Sequence, residues 1–491
     1  MIANEKGVFV FLSFDAMHSW DTLLTLAAPE LDRRGLQRLQ AVLAPHSQAV
    51  VIERHYIDKD YRDTFSQFHS KRFNTPSSRC LRLHFFRKAV GEDSIVAGGD
   101  EIAKAYLGYV VIRPTKPNCV GRTLLSSAVR FHQKAHLSVC EESVLLLGTR
   151  LKVIGFPFIS QDADATVCAQ SALWMLLRYY STRYAWYSEI LPFQITNLAN
   201  HHALGSRVYP SSGLYSWQLA EALRLQRFAP VVYSRNQYPA TFDHLLYTYI
   251  ESGLPLLITV PGHVIVGYGH VSSYDRPWPP GPPVGHLYSS YFNAAWCISD
   301  DNKFPYQTLR AAGSSETVDS EFGWPQIEEF IVPLPEKVFL TAEQVQAAIE
   351  RLWQDPYVGV TAQSPALAER RLIFRLYLTS SRSFKRHLHE RGMGNPTVET
   401  IYLNLPMPHF VWICEVADFD AYAAKHEILG EVIWDATRNA HEPNGWVALH
   451  YPEKLLVDTG SAFNHSQQRI TEFPLEPISC YSLFSSNLSS L

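Results

Sequence analysis

The chain has 491 residues, 46% hydrophobic and 18% charged, which leaves ample material for buried cores and excludes wholesale disorder. Its 43 basic and 47 acidic side chains give a formal net charge of −4, without the basic excess of a nucleic-acid binder. At roughly 100–200 residues per domain, the length predicts two to four domains. Seven cysteines, at positions 80, 119, 140, 168, 297, 414 and 480, are sparse, odd in number and form no CxxC pair. That pattern argues against a disulfide framework or structural zinc and for a reducing compartment. No basic n-region precedes the short apolar run from Val8 to Phe14, and no stretch approaches the roughly 18 apolar residues that span a bilayer. The expectation is a soluble cytoplasmic protein that does not engage a membrane.

Residues 1–150 read as an α+β unit of unassigned role. Leu36 to Leu43 has helical spacing, Ala49 to Ile57 reads as a strand, and Cys80 to Phe86 alternates as a half-buried strand does. Tyr106 to Ile112 is a denser aromatic and β-branched run that stops before Pro114. The polar group from Tyr56 to Tyr61, with Arg62 and Asp63, reads as a solvated face. Residues 151–335 form the second unit. In it, Asp275 to Pro283 holds five prolines and a glycine, which exclude helix and central strand and predict an extended surface loop. Residues 336–491 form a third, α+β unit. Thr341-Ala342-Glu343-Gln344 has the form of a capping box ahead of Val345, Ile349 and Leu352. Leu367 to Leu378 reads as a further helix. It opens a basic cluster (Arg370, Arg371, Arg375, Arg382, Lys385, Arg386, Arg391) that reads as a solvated face, with a phosphate or acidic-substrate site as the alternative. Phe410 to Val416 and Gly430 to Trp434 read as strands.

Chemistry concentrates in the second unit. Ala169, Ala172, Leu173, Leu176 and Tyr180 make one apolar helical stripe, and Asp164 or Thr166 could cap that helix. Cys168 then lies in its first turn, where unpaired N–H groups and the macrodipole favour a thiolate; the bland alternative is a buried structural cysteine. Gly253 to Val260 and His263 to Gly269 read as an antiparallel hairpin about Pro261-Gly262, which brings His263 to a strand start able to face a cleft. His270 has the opposite strand parity. A neutral imidazole near pH 7 can take a thiol proton. Ala295 to Ser299 is a further strand, and Asp300 at its end is the first choice to orient His263. Asp301 is the second choice, with Asn302 and Asn293 behind it. Gln161, seven residues before the cysteine, could donate its amide to an oxyanion beside the Cys168 backbone N–H.

The string Cys168-Ala169-Gln170-Ser171-Ala172-Leu173-Trp174-Met175-Leu176-Leu177-Arg178-Tyr179-Tyr180, with Gln161 before it, resembles the active-site segment of bacteriocin-processing (double-glycine leader) peptidases. Gly262-His263-Val264-Ile265-Val266-Gly267-Tyr268 is similar to the histidine strand of the same family, and Asp300 matches its strand-ending aspartate. The resemblance covers roughly residues 155–306. This chain has Ala169-Gln170 where relatives carry Gly-Pro, Asp301 where they carry proline, and a long insertion between histidine and aspartate. The resemblance implies a central papain-like cysteine-peptidase domain, with the Cys168 helix packed on an antiparallel sheet carrying His263 and Asp300. It implies hydrolysis of a peptide or isopeptide bond through a Cys-His-Asp triad and a thioester, on a protein or peptide substrate, with no metal or organic cofactor. The flanking regions could shape the cleft or dock a partner protein. The alternatives are acyl transfer, as in phytochelatin synthases, which share this layout, and a non-catalytic interaction scaffold.

Overall fold

The computed structural model describes residues 2–3, 7–14, 19–115, 119–131, 134–162, 168–199, 214–439, 445–459, 470–476 and 481–490. Helix and strand are nearly equal, at 32% and 33%, so the chain is mixed α+β. No helix among the described residues is long and apolar enough to cross a membrane. Asp164, Thr166 and Cys480 lie outside the described residues.

The first sheet is an antiparallel meander of six strands in chain order: Ile2–Ala3, Phe9–Ser13, Ala49–Tyr56, Cys80–Phe86, Tyr106–Ile112 and Val120–Leu125. The Arg33–Leu43 helix starts where the Asp32 carboxylate accepts the Gly35 N–H at 2.7 Å, and it buries Leu36, Leu39 and Leu43. The polar group after Tyr56 corrects the sequence reading. Asp58 and Asp60 are buried at the start of the Lys59–Gln67 helix, while Lys59 and Arg62 stay exposed. Asp60 accepts from Trp174 Nε1 at 3.0 Å and from Arg178 Nη2 at 2.7 Å. A charged run carried no sign in the chain that its partners lie more than a hundred residues away.

The second sheet runs Phe228–Ser234, Glu329–Pro335, Leu256–Val260, His263–Ser272, Asn293–Ser299 and Gln307–Arg310, with neighbours antiparallel. Ala135–Leu137 pairs with the far half of His263–Ser272, and Ser489–Ser490 pairs with Ala135–Leu137. The Cys168–Arg183 helix packs on this sheet and buries every residue from Ala169 to Tyr180. The apolar stripe explains only one face. On the other, Trp174 and Arg178, four residues apart, turn to Asp60.

The third sheet has the order Gly285–Tyr288, Arg371–Ser380, Phe410–Asp418, Gly430–Asp435, Trp446–Tyr451, Lys454–Asp458 and Ile470–Pro474. Its first pair is parallel and the rest are antiparallel. Here a second correction arises, since Leu367 to Leu378 is not one helix. A short Pro365–Ala368 turn of helix precedes the strand Arg371–Ser380, of which Leu372 to Thr379 is buried. A strand covered on both faces has no polar alternation, so its apolar run mimics a helical stripe. The Ala342–Trp353 helix begins after Thr341, whose N–H donates to Gln344 Oε1 at 3.0 Å. The proline-rich segment joins His263–Ser272 to Gly285–Tyr288, and Trp278 packs edge-on against Phe419 with centroids 5.3 Å apart. The insertion between histidine and aspartate thus adds a strand to the third sheet. Residues 135–137 and 489–490 join the second sheet, so strands cross the boundaries drawn near 150 and 335.

Candidate active site

Local sequence puts each part of the site at an element end. Cys168 is the first residue of the Cys168–Arg183 helix, where backbone N–H groups lack helical acceptors. The tight turn Pro261-Gly262, with Gly262 at φ +69°, closes the hairpin and makes His263 the first residue of its strand, paired with Val260. The strand Asn293–Ser299 runs antiparallel beside it and delivers Asp300 from its end.

These placements bring Cys168, His263 and Asp300 together. His263 Nε2 lies 2.8 Å from Asp300 Oδ1 and 3.4 Å from Asp301 Oδ1. The Cys168 thiol lies beside the same imidazole, near enough to contribute to its pKa. With Nε2 turned to the carboxylates, Nδ1 is the nitrogen left for sulfur. Burial works against an imidazolium here, but the Asp300 hydrogen bond, the neighbouring Cys168 thiol and the two carboxylate charges outweigh it and hold the His263 pKa up at about 10. The Phe322 ring stacks over the imidazole at 5.9 Å and 23°. Asp301 is pushed up to about 7 by its burial; the His263 charge opposes the rise and the Asp300 charge adds to it. Of the two aspartates, Asp300 makes the hydrogen bond, and it also accepts the Asn302 N–H at 2.9 Å.

Gln161 also reaches the site. One N–H of its side chain goes to Asn302 Oδ1, and no described residue takes the other. Asn302 Nδ2 in turn lies 3.5 Å from His263 Nε2, so Asn302 bridges the glutamine and the histidine. The Asn302 carbonyl accepts from Arg38 Nη2, a contact from the first sheet's helical layer. Asn293 is elsewhere, paired with Ser272 at the far end of the histidine strand. His270 is buried and turned to Glu251 Oε2 at 2.5 Å. Sequence reasoning missed Arg38 and Phe322, which come to the site only through tertiary packing.

Five of the six described cysteines are buried, and burial pushes the thiols of Cys80, Cys119, Cys140, Cys297 and Cys414 up. Cys168 alone among them is partly exposed. His263, Asp300 and Asp301 also offer donor atoms within 4.8 Å of one another, a triangle small enough for a divalent cation. The Nε2–H···Asp300 hydrogen bond uses that side of the ring, so the same atoms serve an orienting pair without an ion. Compared with known proteins, the chain matches no family model, no curated protein and no solved structure.

Proposed function

We propose that this chain is a cysteine peptidase with a papain-like central unit. The observation that carries the reading is a helix-start cysteine beside a histidine whose Nε2 is held by a buried aspartate at 2.8 Å. Cys168 supplies the nucleophilic sulfur, with His263 as the proton carrier beside it. Sulfur attacks the scissile carbonyl carbon, and the carbonyl π electrons move to oxygen. The Cys168 backbone N–H and the second Gln161 amide N–H are the donors for that oxyanion. Collapse breaks the C–N bond, His263 gives its proton to the leaving amine, and a thioester remains on Cys168. The neutral imidazole then takes a proton from water as it adds to the thioester, releasing the acid and restoring the pair. Asp300 keeps the ring in one orientation throughout. A helix packed on an antiparallel sheet whose adjacent strands carry histidine and aspartate supports the papain-like reading of the fold.

The test is digestion of a mixed peptide library, read by mass spectrometry, with wild type and Cys168→Ala, in the presence and absence of a free amine. New carboxyl termini made by wild type alone support hydrolysis. Amine-capped termini would assign acyl transfer through the same thioester. Identical libraries after wild type and Cys168→Ala would contradict the enzyme and leave an interaction scaffold.

A further inference from the structure

The basic cluster of the third unit does not act as one surface. Arg375 is buried at the seam between the second and third sheets, where Nε reaches Glu251 Oε1 at 2.7 Å and Nη1 reaches Glu415 Oε2 at 2.6 Å. Glu251 spends its other oxygen on His270. This network floors a cavity of about 270 Å³. Tyr247, Tyr274, Tyr422 and Phe484 supply ring surface to its walls, and Arg391, Lys425 and His426 stand around it as exposed groups.

Charge and shape together point to a class of ligand. The one carboxylate lining the cavity, Glu251, is consumed by Arg375 and His270. Arg391 reaches only the Ser485 hydroxyl, at 2.9 Å, and neither Arg391 nor Lys425 forms an ion pair with any described residue. An anion entering the cavity therefore meets two cations free of carboxylates, above a floor whose one lining carboxylate, Glu251, is taken up by Arg375 and His270. The volume lies just under the usual ligand-pocket range, so the guest is compact. We propose that this seam cavity binds a small oxyanion, a phosphate or carboxylate carried on a compact aromatic body. His270 on its floor is seven residues from His263 along one strand, about 23 Å at the usual strand rise, so this site is separate from the Cys168 centre.

The test is isothermal titration with phenyl phosphate, benzoate and inorganic phosphate, with chloride holding ionic strength constant. Wild type, Arg391→Gln/Lys425→Gln and Cys168→Ala are compared; the first two substitutions are on exposed side chains, and circular dichroism checks the fold. The expected result is saturable binding of phenyl phosphate or benzoate, tighter than inorganic phosphate, weakened at least about tenfold in the double variant and unchanged in Cys168→Ala. The stronger of the two aromatic probes identifies the head group as phosphate or carboxylate. Absence of saturable binding by both aromatic probes, binding that the double variant leaves intact, or binding lost in Cys168→Ala would each overturn the proposal.

Discussion

Replacing Asp60 with alanine tests how the first unit is fastened to the Cys168 helix. The carboxylate and the Arg178 guanidinium are 1% and 4% exposed, and one oxygen takes hydrogen bonds from both Trp174 and Arg178. Removing one partner of a buried ion pair costs about 3–5 kcal/mol, because the other charge stays buried. Arg178 keeps Glu189, a carboxylate 39% exposed, which pulls its share to about 3 kcal/mol. The Trp174 indole N–H loses its acceptor, adding about 1 kcal/mol. Asp60→Ala should therefore lose about 4 kcal/mol in urea unfolding at neutral pH. Asp60→Asn, which retains an acceptor, should lose less. The double variant Asp60→Leu/Arg178→Met should lose less than the sum of its single changes, since it buries no orphaned charge. A loss under about 1 kcal/mol for Asp60→Ala, or strict additivity in the double variant, would refute the interlock.

Three further outcomes follow from the site. Asp300→Asn should slow peptide cleavage by about 10²- to 10⁴-fold, while Asp301→Asn, 3.4 Å from the ring, should stay within about tenfold; equal losses would mean the two aspartates share the orienting role. The folded-state His263 pKa of about 10 lies above its ordinary value near 6.5. The stability it contributes is complete below about pH 6.5 and lost as pH rises through 10, so the urea midpoints of wild type and His263→Gln should converge over that window. A gap that widens with pH would reverse the sign of that linkage. Treatment with EDTA should leave cleavage unchanged, whereas loss of activity restored by a divalent ion would make the His263, Asp300 and Asp301 triangle a metal centre.

What could be read from the chain was local. A cysteine at the head of an apolar stripe, a Pro-Gly turn before a histidine and an aspartate at a strand end each carry their geometry in neighbouring residues, and the structure brings the three together. What could not be read depends on distant partners. Asp60 looked solvated because Arg178 is 118 residues away, and Leu367 to Leu378 looked helical because both faces of the Arg371–Ser380 strand are covered. The Gly285–Tyr288 strand gave no warning that it would leave the second sheet for the third. Asn302 ranked behind both aspartates as a partner for His263, yet its side chain also holds Gln161, a role that only the folded arrangement reveals.

The central claim is a Cys168–His263 pair held by Asp300, and thiol labelling tests it most directly. Wild type, Cys168→Ala and His263→Ala would be treated with a mild electrophile from pH 5 to 9, with the modified site mapped by mass spectrometry. The account predicts selective modification of Cys168, faster in wild type than in His263→Ala across that range. In His263→Ala that rapid, selective labelling should be lost. Labelling spread across the other cysteines, or a Cys168 profile that His263→Ala leaves unchanged, would contradict it.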